Sequence, residues 1–76
     1  MRIRWIKEVE VDGLGNAIRQ AREASGKTVD QICEEVGVSR TYYYDIEKET
    51  LKGTLSRENL ESIEKSLKVD LGVNFD

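Results

Sequence analysis

Histidine and proline are absent from this 76-residue chain, and cysteine, methionine, tryptophan and phenylalanine occur once each. Without an imidazole there is no Ser/His/Asp or Cys/His nucleophilic site and no histidine base. A single thiol, Cys33, excludes an intrachain disulfide and a Cys/His metal cage, so no metal or other cofactor is expected. It also favours a reducing, cytoplasmic setting. No run reaches the ~20 apolar residues of a membrane span. The N-terminal residues carry charge but no apolar stretch of signal-peptide length. Large enzyme architectures need a longer chain, and no enzyme is expected. What the chain has in quantity is charge: 36 % of its residues are charged, with a net charge of −3. That balance argues against a simple polycation that clings to nucleic acid.

Residues 1–76 read as one domain in three parts. The first part (1–12) alternates, with Ile3, Trp5, Val9 and Val11 on one parity, which predicts a strand buried on one face; Ile6 and Lys7 break the pattern. The last part (69–76) alternates in the same way through Val69, Leu71, Val73 and Phe75. These end strands could pair with each other and pack Trp5 and Phe75 onto the helices, or pair across a homodimer, since an isolated two-stranded ribbon is marginal.

The middle part (13–68) predicts four helices. Leu14 to Ser25 carries Leu14, Ala17, Ile18, Ala21 and Ala24 at helical spacing, with Asp12 as cap and Gly26 as stop. Thr28, with Gln31 three residues on, reads as the capping box of a second helix that turns Val29, Ile32, Cys33 and Val36 inward. Ser39 caps a third helix, about Arg40 to Glu49, and a polar loop follows through Leu55. Ser56 caps a fourth helix with Leu60, Ile63 and Leu67 on its core face.

Between the second and third helices, Gly37 supplies backbone freedom, Val38 plugs the gap and Ser39 begins the next helix, the outline of a helix-turn-helix. Together with Leu14, Gly15, Ile18, Arg19 and Arg22 before it, and Ile46, Glu47, Leu60, Ile63, Leu67 and Val69 after it, the chain resembles the phage-repressor/Cro-like (XRE-type) helix-turn-helix family. The resemblance covers about Leu14 to Val69. It implies a mainly α, lambda-repressor-like four-helix domain, here with short N- and C-terminal β-strands. It also implies sequence-specific double-stranded DNA binding by a transcriptional regulator, with the third helix in the major groove.

The family's groove-facing positions fall on Ser39, Arg40, Thr41, Tyr44 and Asp45, and a phosphate-contacting position falls on Lys48. Helical geometry agrees independently: with Val38 and Ile46 inward, Arg40, Thr41, Tyr44 and Lys48 point largely away. Amides near Thr28 could hold a phosphate, and Arg19 adds positive charge at the rim. The Arg22–Glu47 pair resembles a structural salt bridge of the family. Three consecutive tyrosines cannot share one helical face. Tyr42 lies beside Ile46 and Tyr43 falls on an aliphatic core position of the family, so the resemblance implies that these two pack and that Tyr44 alone faces DNA.

The chain departs from the family at Val29, where glutamine is common, at Glu49, where glycine is frequent, at Asp45, and at Glu64, where a small apolar residue is usual. Acidity gathers on the second helix, where Asp30, Glu34 and Glu35 stand without a basic partner in the same segment. The competing reading is therefore a protein-interaction module, antitoxin-like or adaptor, with weak or no DNA binding. Three features carry no chemistry. Gly13-Leu14-Gly15 has no room for a dinucleotide fold, Glu34-Glu35 is a solvated face, and Cys33 is a small buried hydrophobe.

Overall fold

The computed structural model describes residues 1–4 and 8–73. Its elements run β1 (Arg2–Arg4), β2 (Glu8–Glu10), α1 (Leu14–Ser25), α2 (Val29–Val36), α3 (Arg40–Lys48), β3 (Leu55–Ser56) and α4 (Arg57–Leu67). Among the described residues no helix is long and apolar enough to cross a membrane.

Three of the four helix starts follow from side-chain caps. Thr28 accepts from the Gln31 amide at 3.1 Å while its own amide donates to the Gln31 side chain at 2.9 Å, which closes the capping box of α2. Ser39 accepts from the Tyr42 amide at 3.1 Å to start α3, and Ser56 accepts from the Asn59 amide at 3.2 Å to start α4. The first helix departs from expectation. Asp12 does not cap it; Gly13 occupies the cap position in the left-handed conformation, with no side-chain bond. The chain enters this helix by a backbone turn, so no carboxylate is needed there.

The N-terminal segment also differs from a single strand over residues 1–12. It holds two short strands, antiparallel, with Ile3 opposite Val9. β1 then pairs parallel with β3, Ile3 opposite Leu55, so the sheet order is β2-β1-β3. The supposed polar loop before α4 therefore contributes a core strand: Leu55 is fully buried, as is Ile3. Alternation in a short segment cannot reveal a partner that lies far along the chain. Residues 69–73 form no strand, a second correction. Their backbone is tied to α4 instead, where the Glu64 carboxylate accepts from the Leu71 amide at 2.8 Å and the Glu64 carbonyl from the Val69 amide at 3.0 Å. A residue that departs from the family pattern thus holds the C-terminal segment, while Val69, Leu71 and Val73 rest against the core. Trp5 and Phe75 lie outside the described residues.

The core joins the helices to the sheet through Ile3, Leu14, Ile18, Ile32, Tyr43, Ile46, Leu55, Leu60 and Ile63, each buried almost completely. Each such aliphatic side chain contributes roughly 1.5–3 kcal/mol of burial. Ala24, expected on the apolar stripe of α1, is exposed at its last turn. On the far side of the core, Lys27 donates to the Ser66 carbonyl at 2.6 Å and to Glu35 at 2.8 Å, and the Ser66 hydroxyl donates to Glu35 at 3.0 Å. The α1–α2 turn, α2 and α4 meet there.

Gly15 lets α1 approach the end of α3. A Cβ at this position would stand 2.5 Å from the Glu47 carbonyl oxygen and 2.7 Å from that of Ile46. We expect Gly15→Ala to destabilise the fold by about 1–3 kcal/mol, because the Glu49 Cγ at 2.7 Å can move but the two carbonyl oxygens are backbone and cannot swing aside; urea denaturation measures it, and a change below about 0.5 kcal/mol contradicts the close approach. The Lys27 and Ser66 hydrogen bonds hold the Glu35 carboxyl below its ordinary pKa of 4.5. Its stabilising contribution is therefore complete above that value and is lost as pH falls through the lowered one. Glu35→Gln should flatten this acid limb in pH-dependent unfolding.

Candidate nucleic-acid interface

The two helices of the turn motif are set by its three linking residues. Gly37 takes φ 83°, a conformation that suits glycine, and its amide donates to the Cys33 carbonyl at 2.7 Å to close α2. Val38 rests against the core, and Ser39 opens α3. Cys33 is buried under this turn, with its thiol 3.7 Å from the Ser39 carbonyl; burial raises its pKa. It is part of the packing, as its position on α2 suggested.

Orientation of α3 follows from its inner side. Tyr43 and Ile46 are fully buried, and the Tyr43 hydroxyl faces Glu47 and Arg22; burial raises its pKa. Tyr42 is half-buried, and its hydroxyl accepts from the Asn59 amide group at 3.2 Å. Both tyrosines pack, in agreement with the family resemblance and the place of Tyr42 beside Ile46. The Arg22 guanidinium grips Glu47 with two parallel bonds, Nε to Oε2 at 2.8 Å and Nη2 to Oε1 at 3.1 Å. This bidentate geometry is the strong form of the pair, and hydrogen bonding to Glu47 raises the Arg22 pKa above its usual range.

Beyond Lys48 the helix ends at Glu49, a non-glycine residue in the left-handed conformation (φ 55°). That backbone is unfavourable for an L-residue by about 1–2 kcal/mol. The Glu49 carboxylate lies 3.0 Å from the Met1 amine, which also reaches Glu10 at 2.9 Å and the Val11 carbonyl at 2.8 Å. Burial works against the charge on this amine, but its hydrogen bonds to Glu10 and Glu49 outweigh that and raise its pKa. A partly enclosed ion pair thus offsets the backbone strain where the family often has glycine.

The outer side of α3 presents Arg40, Thr41, Tyr44 and Lys48, all exposed, with Ser39 exposed at its start. Tyr44, 41 % exposed, is the one large apolar side chain left in solvent among the described residues. Its ring stands edge-on to Tyr43, centroids 6.4 Å apart, and the Lys48 ammonium lies 5.8 Å from its centre. Three other candidates are already engaged. The Asp45 carboxylate accepts from the Thr50 hydroxyl at 3.0 Å, turned toward the end of its own helix. The Thr28 hydroxyl and amide are consumed by the capping box. Arg19, on α1, pairs with Glu23 at 3.6 Å.

Arg40 meets a partner that spacing did not suggest. Its Nη1 lies 3.4 Å from the Asp30 Oδ1, and the two side chains are 68 % and 71 % exposed. Asp30 belongs to the first turn of α2, and only the crossing of the two helices brings it beside Arg40. Among the described residues no cluster of three or more acidic or cysteine side chains could hold a metal ion.

A family model described as helix-turn-helix matches residues 18–74. No curated protein and no solved structure matches the chain. The two partners of the Arg22–Glu47 pair differ in exposure: Arg22 is 22 % exposed and Glu47 only 5 %. Arg22→Met strands a buried carboxylate and should destabilise by about 3–5 kcal/mol. Glu47→Gln leaves a guanidinium that can reach water and should cost clearly less. Equal losses in thermal or urea unfolding would contradict this asymmetry.

Proposed function

Because the chain belongs to the phage-repressor/Cro-like (XRE-type) helix-turn-helix family, a family of DNA-binding domains of transcription-regulator type, we propose that it binds double-stranded DNA sequence-specifically by laying α3 in the major groove. The observation that carries this reading is the division of α3 into two faces. Tyr43 and Ile46 are spent on the core, while the exposed side gathers Arg40, Thr41, Tyr44 and Lys48. A major groove admits a helix of this kind.

The roles divide by chemistry. Arg40, at the first position of α3, offers two parallel N–H donors to the O6 and N7 acceptors of guanine. Thr41 and Tyr44 supply methyl and ring surface to thymine methyl groups and sugar edges, and Ser39 retains a hydroxyl proton for a phosphate. Lys48 neutralises a phosphate at the far end of the helix. Asp45 and Thr28 serve the ends of their helices, and Arg19 acts at a distance through charge. Two copies would engage a pseudo-palindromic site with half-sites about 34–36 Å apart or a multiple of that. The free edge of β2 carries Glu8 and Glu10, and such charge discourages pairing between strand edges. Two copies would therefore meet through other surfaces.

Selection of duplexes from a random pool tests the proposal, with binding then measured across salt concentrations. A consensus should emerge. Arg40→Ala should lose about 1–3 kcal/mol of discrimination at a single guanine position while keeping its thermal midpoint. Lys48→Ala should weaken all sequences alike and lower the salt slope by about one. Enrichment without a consensus, or no binding at low salt, would instead favour the interaction-module reading, to which the net charge of −3 and the Asp30 partner of Arg40 lend support.

A further inference from the structure

Asp30 sits in the first turn of α2, where its carboxylate favours the helix start by about 0.3–1 kcal/mol, but its pairing with Arg40 adds little to the fold. Both side chains are more than two-thirds exposed, and an exposed pair of this kind contributes about 0–1 kcal/mol to stability. Neither residue belongs to the core, and each helix has its own cap in Thr28 and Ser39. Yet the pair stands at the start of both helices of the turn motif, on the side of α3 that faces outward.

We propose that Asp30 is a specificity-determining residue that acts through Arg40, holding the guanidinium so that it accepts a neutral base edge in preference to an anionic phosphate. The inference rests on the reading of α3 as the DNA-contacting helix. A guanidinium carries five N–H donors in a rigid planar fork. The Asp30 carboxylate stands beside Nη1 at 3.4 Å as an ion pair, which leaves the Nε–Nη2 edge of the fork open to a second acceptor. The O6 and N7 of guanine are neutral, and a carboxylate beside the same arginine does not repel them. A phosphate brings a full negative charge within a few ångströms of Asp30 and is penalised. The same carboxylate limits how far Arg40 can swing, and so narrows the directions from which a base can be read. Asp30 is thus a positioning residue whose effect appears in the choice among sequences, with little effect on the fold.

The test uses the full chain and Asp30→Asn, with Asp30→Ala as a second variant, on the duplex selected by the wild type and on a scrambled duplex. Both variants should stay folded at the assay temperature, with a thermal midpoint lowered only by the few degrees that a lost first-turn carboxylate accounts for. They should bind the scrambled duplex about 3–5-fold more tightly at low salt and lose about 3–5-fold of the preference for guanine at the Arg40 position, the span of an exposed ion pair. In an Arg40→Ala background the effect of Asp30→Asn on that preference should vanish, as a double-mutant cycle would register. Variants that keep both the wild-type base preference and the wild-type scrambled affinity overturn the proposal while leaving DNA recognition by α3 intact. A persisting Asp30 effect without Arg40 also overturns it, since Asp30 would then act directly. A wild type that selects no consensus overturns the DNA reading and this inference together.

Discussion

Tyr43 and Ile46 anchor α3 by one side, and Arg22 holds Glu47 immediately beside them with two hydrogen bonds. Every feature of the outward side depends on that anchorage, because a helix fixed along one face has no freedom to rotate about its axis. The close approach at Gly15 completes it by letting the backbone of α1 pass against the carbonyl oxygens of Ile46 and Glu47. A buried charged pair is weak evidence for stability, since burying the two charges is itself unfavourable. Its clearer effect here is orientation: the directional fork of Arg22 selects one rotation of α3 among those that apolar contacts alone would tolerate.

The acidity of the chain takes a different meaning once its charges are placed. Glu47 is spent inside, Glu35 is bound to Lys27 and Ser66, Glu10 and Glu49 share the Met1 amine, and Asp45 turns back to Thr50. Much of the negative charge is therefore structural, compensated within a few ångströms and short-ranged in its effect. Net charge describes how the whole molecule is seen from afar, whereas a group approaching the outer side of α3 would meet Lys48, Arg40 and the carboxylate of Asp30 at close quarters.

The helices were legible because their signals are local. Apolar spacing, a hydroxyl at each of three starts and glycines at two ends mark α1 to α4 within the windows that form them. The Arg22–Glu47 pair came from resemblance, and its bidentate geometry agrees with it. What escaped the sequence depends on separations longer than a turn. Ile3 and Leu55 carry no mark of being neighbours, and alternation at Val69–Val73 looks the same whether the segment pairs with a strand or lies along a helix held by Glu64. Asp12 seemed a good cap because sequence cannot show that Gly13 adopts the left-handed turn itself. On the outer side of α3, the exposure of Arg40, Thr41, Tyr44 and Lys48 was readable from helical phase, and so was the Gln31 partner of Thr28, but the side chains that engage Asp45 and Arg40 were not.

The parallel pairing of β1 with β3 has a kinetic meaning. Helices α1 to α3 and their turns can form from contacts close along the chain, which is the rapid kind of folding. β1 cannot find Leu55 until those helices have brought it near, because closing so long a loop beforehand carries an entropic penalty with little to offset it. β1 and β2 are therefore expected to dock last, an arrival that carries the Met1 amine to Glu49 at the end of α3. The expected order of assembly thus runs from the turn motif outward, and α3 is clasped at its far end by the segment that pairs with β3.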